Sequence, residues 1–375
     1  MRTRAAVLRE IGRPAPYAES RPLSIEEIEL DPPGEGEVLV RIRAAGLCHS
    51  DLSVIDGNRP RPMPMVLGHE AAGVVETVGY GVTAFSRGDH VVAAFVPSCG
   101  HCIPCATGRP ALCEPGFAAN TAGTLLSGER RLHDASGAVN HHLGVSGFAQ
   151  CAVLAANSLV RVPADLPFAE AALFGCAVIT GVGAVVNTAA MPHGASAAIV
   201  GLGGVGLAAL LAARMLDAEH IVAIDVNERK LAAARELGAT ATVNAGDPDA
   251  ADRVRELTRG GVACAFEMAG SPRALELAYR VTARGGTTVS TGLPHPQQQF
   301  SLTQVSLVAE ERTLRGSYLG SCVPARDIPH YIDWYRAGRL PVDRLLSERL
   351  RLEQLNAAFD RLAAGETIRQ VVEID

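Results

Sequence analysis

The chain is poor in charge and has no concentration of positive charge. Only 20% of its 375 residues are Asp, Glu, Lys or Arg, the net charge is −6, and the basic residues are spread along the chain. A face that binds nucleic acid must neutralise a row of phosphates with grouped Lys and Arg, so no nucleic-acid partner is expected. The opening residues, Met1 to Glu10, hold no apolar core of signal-peptide length. No later run is read as reaching transmembrane length without charge, and a cytoplasmic location is expected. What the chain does have is apolar mass. With 48% hydrophobic residues over this length it can bury two ordinary cores, which implies two or three domains.

Cysteine is used in an unusual pattern. Cys99, Cys102, Cys105 and Cys113 form a Cys-x2-Cys-x2-Cys-x7-Cys cluster. Thiolates this close on a loop suit one tetrahedral Zn²⁺ at about 2.3 Å from each sulfur, a closed structural site. Disulfide-bonded cysteines are usually further apart in sequence. Three further positions make a second set: Cys48 in Gly46-Leu47-Cys48-His49-Ser50-Asp51, His69 in Gly68-His69-Glu70, and Cys176 in Gly175-Cys176-Ala177. Two cysteines and a histidine are the ligands of a catalytic zinc that keeps its fourth position open. Taken alone, each residue reads as a buried core thiol or a surface histidine rather than a ligand, and spacing does not show that the three meet. Cys151, Cys264 and Cys322 remain as core or surface thiols, a usage that fits a reducing compartment.

A cofactor site is legible further along. Gly201-Leu202-Gly203-Gly204-Val205-Gly206 follows the apolar run Ala197-Ala198-Ile199-Val200 and opens a helix of small residues. Glycines at 201, 203 and 206 match G-x-G-x-x-G, giving a tight turn, close approach of backbone to a pyrophosphate and close packing of helix on strand. Gly204 and the N–H groups at the helix start would hold the phosphates. A second strand, Ile221 to Ile224, ends at Asp225, nineteen residues past Gly206, where a carboxylate can accept from ribose hydroxyls. Residues up to about Val178 alternate Val and Thr between Gly/Pro turns, as β-strands do. From Thr180 to about Gly320 strands alternate with helices, the rhythm of a parallel sheet. The tail turns helical and ends in a strand at 370–374.

With these motifs in this order, the chain resembles the zinc-dependent medium-chain alcohol dehydrogenases over essentially its whole length. Its long segment between Glu114 and Gln150 resembles the dimeric animal- and plant-type branch. The resemblance implies an α/β fold of two parts: a discontinuous GroES-like, β-rich catalytic domain at 1–178 and 322–375, and a Rossmann doubly wound parallel-sheet domain at 179–321 that binds NAD. The active site is then expected in the cleft between them. Two zinc ions per chain are implied, one catalytic on Cys48, His69 and Cys176 and one structural on the quartet, in a homodimer acting on a small alcohol or aldehyde. NAD⁺ would accept hydride while zinc polarises the substrate oxygen.

The resemblance also assigns roles. Ser50 would hydrogen-bond the alcohol and start its proton outward. Asp51 would orient His69. Glu70 would lie behind the metal, or serve as an ordinary buried ion-pair carboxylate. His49 and Arg369 would contact the cofactor phosphates, Lys230 the ribose, and Val205 and Thr180 the two sides of the nicotinamide. Phe95, Phe148, Leu293 and Tyr318 would line an apolar substrate pocket, with Phe117 and Arg59 nearer its mouth, which favours primary alcohols, aromatic or medium-length.

Two departures stand out. Where many relatives carry a relay histidine this chain has Ser53, which does not titrate near neutrality, so proton release is expected to need water or buffer base. Where a glutathione-dependent formaldehyde dehydrogenase carries arginine this chain has Phe117, which argues against that activity. Another thiol adduct stays open through Arg109, Arg130 and Arg131. Asp225 repels a 2′-phosphate and so favours NAD over NADP. The rival is a non-catalytic NAD-binding or redox-sensing relative, set aside because it has no chemical reason to keep the Cys2His set with Ser50 and Thr180.

Overall fold

A computed structural model describes all 375 residues. Its contacts divide the chain into two units: Met1–Cys176 with Val323–Ile332 and Leu346–Asp375, and Ala177–Cys322 with Asp333–Leu345. The span 322–375, expected to belong wholly to the first domain, is therefore shared, with Asp333–Leu345 clustering with the second unit.

The first unit contains a closed barrel of five strands, in the order Arg2–Leu8, Leu23–Leu30, Leu132–Asp134, Gly137–His141 and Met65–Val66. Beside it lies a seven-stranded sheet that includes Glu37–Gly46, Glu70–Val78, Cys151–Ala155 and Arg369–Glu373. Inward side chains such as Val7, Ile28, Leu30, Val66, Val139, Cys151 and Val153 form one core. Cys151 is thus one of the expected core thiols.

Register in this sheet positions the chemistry. Gly46 pairs with Glu70 across one antiparallel ladder, and Val371 pairs with Gly46 across the next. Cys48 therefore lies just past the end of one strand, His69 just before the start of its neighbour, and Arg369 on the third, all at the same sheet end.

The second unit is built on six parallel strands in the order Ala241–Asn244, Ile221–Asp225, Ala197–Val200, Val262–Glu267, Thr282–Ser290 and Thr313–Gly316. The central strand is a continuous buried apolar run, as a strand covered on both faces must be. From it the chain winds first to one side and then to the other, so the strand order reverses at Ala197–Val200. Ligands of open parallel sheets bind outside the carboxyl ends of the strands at such a point, and Gly201 begins there.

One expectation is corrected. Phe168–Thr188 is a helix of 21 residues, long and apolar enough by composition to cross a membrane. It is instead an interior helix, with 94% of its apolar window buried in the protein. Its turns at Phe174–Val178 and Ala184–Thr188 are π-helical, widenings that recur at functional sites. The first of them carries Cys176.

Candidate active site

Cys48 caps the helix His49–Ile55 in an extended conformation, and Asp51 at the third helical position closes a capping box. The Asp51 carboxylate accepts the Cys48 N–H at 3.3 Å and the Gly68 N–H at 3.0 Å. Its Oδ1 also lies 3.1 Å from Nδ1 of His69. With Nδ1 occupied in this way, the free ring nitrogen of His69 is Nε2, which is buried and has no hydrogen-bond partner. The Cys48, His69, Glu70 and Cys176 side chains, all buried, bring their ligand atoms within 4.8 Å of one another. Phe95 stands edge-on to His69, ring centroids 5.4 Å apart.

The electrostatics of this cluster suit a cation. The Cys176 thiol donates to Cys48, and together with the positive charge of Arg369 and His69 this holds the Cys48 thiol well below its ordinary pKa despite burial. The same pairing pushes Cys176 up. Burial works to raise Asp51, but the facing His69 and His142 hold it near 2. Around His69, burial opposes protonation, yet Asp51 and Cys48 outweigh it. A pocket of sulfur and carboxylate that holds a proton so firmly on an imidazole is one where a metal ion can replace that proton.

Behind the cluster Glu70 and Arg369 form a buried ion pair. Arg369 Nη2 lies 3.2 Å from Glu70 Oε1, a charge contact without hydrogen-bond alignment, and Nη1 donates to the Leu47 carbonyl at 2.7 Å. Gly46 makes room for the carboxylate, since a Cβ there would sit 2.3 Å from Glu70 Oε2. Arg369, expected at the cofactor phosphates, is only 4% exposed, because its charge is directed inward to balance Glu70 and the sulfurs. Glu70→Ala strands that guanidinium, and removing one partner of a buried pair costs about 3–5 kcal/mol. Urea unfolding of the variant should show a drop of that size, larger than for Glu70→Gln.

The quartet forms a second cluster, its four sulfurs within 4.8 Å of one another. Backbone N–H groups of Cys99 and Gly116 point at Cys113 Sγ and that of Cys102 at Cys99 Sγ, at 3.2–3.4 Å. No cysteine of the chain is in a disulfide. Four converging thiols held by N–H donors, with no bond between them, fit a tetrahedral zinc.

In the second unit Gly201 adopts φ +94°, and a Cβ on Gly206 would lie 1.9 Å from the Gly201 carbonyl oxygen. A Cβ on Gly203 would meet nothing within 4 Å, so this glycine keeps space open at the start of the helix Gly204–Met215, as a bound pyrophosphate requires. Gly206→Ala should therefore destabilise the fold by about 1–3 kcal/mol, read by chemical denaturation. Gly203→Ala should leave stability unchanged yet weaken NADH binding, read by fluorescence titration. Asp225, at its strand end, accepts the Leu202 N–H at 2.7 Å and the Asn227 N–H at 2.9 Å. It borders a cavity of about 570 Å³ together with Gly201, Val226, Ala269 and Arg273. Thr180 Oγ1 is buried without a partner, while Val205 and Lys230 are partly exposed.

Other expected residues fall differently. His49 is exposed and Ser50 half-buried at the start of the Cys48 helix. Ser53 Oγ donates to the His49 carbonyl at 2.8 Å. Phe148 is fully buried, its ring edge-on to Phe359 and packed against Gly68. That corrects its expected place as a pocket wall, because a side chain with no accessible surface cannot touch substrate in this state. Leu293 is 51% and Phe117 68% exposed, and Tyr318 is half-buried. Arg130 binds Asn140 and the Ala122 carbonyl, and Arg131 pairs with Glu37 at 2.8 Å, so of the three arginines suggested for a thiol adduct only Arg109 keeps an uncommitted position on the surface. His142 was not singled out from the sequence, yet it is buried against His69 and Asp51. A His-His pair in a long loop gives no spacing signal that would have found it.

The chain is similar to known proteins over its whole length. A family model described as the alcohol dehydrogenase GroES-like domain matches residues 34–164, and one described as zinc-binding dehydrogenase matches residues 204–337. The chain is 38% identical to the class-3 alcohol dehydrogenase of Myxine glutinosa over 361 residues, 94% of this chain and 95% of that one. It is similar to the crystal structure of an alcohol dehydrogenase zinc-binding domain protein from Burkholderia ambifaria, with 38% identity, a TM-score of 0.93 and coverage of 100% of this chain and 99% of the other. The benzyl alcohol dehydrogenase of Acinetobacter calcoaceticus matches with 33% identity, a TM-score of 0.93 and full coverage of both chains. The chain belongs to the zinc-dependent medium-chain alcohol dehydrogenase family. It is an oxidoreductase, and its two parts are the GroES-like and Rossmann-type folds of that family.

Proposed function

We propose that this enzyme is an NAD(H)-dependent alcohol dehydrogenase with two zinc ions per chain, which interconverts a primary alcohol, aromatic or medium-length, and its aldehyde. The observation that carries this reading is the convergence of Cys48, His69 and Cys176 around the unpartnered His69 Nε2. A zinc ion bound there supplies Lewis acidity to a substrate oxygen, and NAD supplies the hydride acceptor. Asp51 holds the His69 tautomer through Nδ1 and so presents Nε2 to the metal. Ser50 takes the substrate proton as it leaves, and with the Ser53 hydroxyl turned back to the helix, the proton reaches solvent through water and turnover responds to added buffer base. Arg369 offsets the charge of the sulfurs and Glu70 from behind. Phe95, Leu293 and Tyr318 supply apolar surface for an aryl or alkyl group. Cys99, Cys102, Cys105 and Cys113 hold the structural zinc.

Gly201, Gly203, Gly204 and Gly206 receive the pyrophosphate, Val205 and Thr180 the nicotinamide, and Asp225 with Lys230 the ribose. His49 contributes a phosphate contact. The catalytic part is read as Met1–Cys176 with Val323–Ile332 and Leu346–Asp375, and the NAD-binding part as Ala177–Cys322 with Asp333–Leu345, in a cytoplasmic homodimer. Asp225→Asn removes the charge that repels a 2′-phosphate while keeping an acceptor for one of the two backbone N–H groups, Leu202 or Asn227, that the carboxylate holds. It should shift the NADP/NAD ratio of kcat/KM toward NADP by about tenfold or more, roughly 1.4 kcal/mol, and an unchanged ratio would remove the ribose role. The substrate reading is tested by following NADH absorbance over a panel of alkyl and aryl alcohols. Benzyl-type and medium-chain alcohols should exceed ethanol in kcat/KM, and a preference for ethanol or for a thiol adduct of formaldehyde would overturn it.

A further inference from the structure

We propose that His142 is a positioning residue for the inner metal site, a second imidazole on the carboxylate of Asp51 that steadies the orientation of His69. The inference rests on reading Cys48, His69 and Cys176 as zinc ligands.

The backbone around His142 is fully committed. The strand Gly137–His141 pairs with Met65–Val66, and the turn that follows is closed by the Ser146 hydroxyl, which accepts the His142 N–H at 3.1 Å. Gly147 and Phe148 N–H groups then donate to the Gly68 and Leu67 carbonyls, at 2.8 and 3.0 Å. The loop is thus clamped to the residues immediately before His69.

The His142 side chain is not committed in the same way. It is only 2% exposed, and neither ring nitrogen has an aligned hydrogen-bond partner. Leaving a buried polar group unbonded carries its full desolvation penalty. Phenylalanine would fill the same space beside His69, where the two rings stand edge-on with centroids 5.6 Å apart, without that cost. What imidazole adds is a donor. Its Nε2 lies 3.3 Å from Asp51 Oδ1, the same oxygen that faces His69 Nδ1. At that separation alignment alone, without closer approach, makes a charge-assisted hydrogen bond. Asp51 would then be held by the Cys48 and Gly68 N–H groups and by two imidazoles, and His69 could not turn Nε2 away without breaking the set. Outer partners of metal ligands contribute about 10- to 100-fold to metal retention.

The test uses the zinc-loaded full chain and follows release of each zinc to a chromogenic chelator. Wild type should release two zinc ions in two phases. His142→Phe should release the inner one about 10- to 100-fold faster and leave the quartet phase unchanged. His142→Asn, which keeps an N–H donor, should recover part of the retention. His142→Leu repeats the measurement should the Phe variant fail to fold. Equal inner-zinc release by wild type and the donor-less variants, in a protein that carries two zinc ions, overturns the proposal and leaves the zinc reading standing. A wild type that carries only the quartet zinc overturns both.

Discussion

Cys48→Ala and His69→Ala should each lower kcat/KM for alcohol oxidation by about 10³-fold or more while leaving NADH binding nearly unchanged. The size follows from the chemistry, since Lewis-acid stabilisation is worth several kcal/mol and each 1.4 kcal/mol or so is tenfold in rate. The specificity follows from the fold. Both residues lie at the end of the sheet in the first unit, whereas the glycine loop and Asp225 belong to the second. Steady-state kinetics paired with NADH fluorescence titration checks the two halves of the statement. Turnover within tenfold of wild type in either variant would remove the metal from the reaction, and loss of NADH binding would mean that the substitution acts through the fold.

The second large effect concerns stability. Replacing Cys102 with serine, or stripping zinc with a chelator under native conditions, should unfold the lobe around 99–113 and lower the unfolding midpoint of the whole chain. Apparent binding energies of about 10–16 kcal/mol for structural zinc in small peptides set the scale. Without the ion the lobe has little else to hold it. Its short helix Ile103–Ala106 buries no residue and Ile103 is 78% exposed. Cys48→Ala, by contrast, should cost much less stability than Cys102→Ser. Thermal unfolding of the two variants side by side decides the matter, and a Cys102→Ser protein as stable as wild type would show that the quartet is not a structural site.

These contrasts explain how much of the protein could be read before its structure was known. The quartet and the glycine loop are local: their ligands or donors lie within a few residues, so spacing carries the geometry. The Cys2His set is not local. Cys48, His69 and Cys176 are joined only by the pairing of Gly46 with Glu70 and by the π-helical turn that carries Cys176, and the resemblance to a family, rather than spacing, brought them together in advance. Misplacements arose where a residue's partner is distant in sequence. Arg369 looked like a phosphate-bound charge because nothing near it in the chain reveals Glu70. Phe148 looked like a pocket wall, and its burial against Phe359 depends on strand packing. The run at Phe168–Thr188 carried no sign of whether lipid or protein surrounds it, since the same apolar composition serves both. His142 had no signal at all, because its meaning comes only from its 3.3 Å approach to Asp51.

The most direct measurement is crystallographic: anomalous difference density recorded on either side of the zinc absorption edge from crystals of the zinc-loaded enzyme. The account predicts two peaks per chain, one among the four quartet sulfurs and one bounded by the Cys48 and Cys176 sulfurs and the Nε2 of His69. A single peak, confined to the quartet in fully loaded protein, would contradict it.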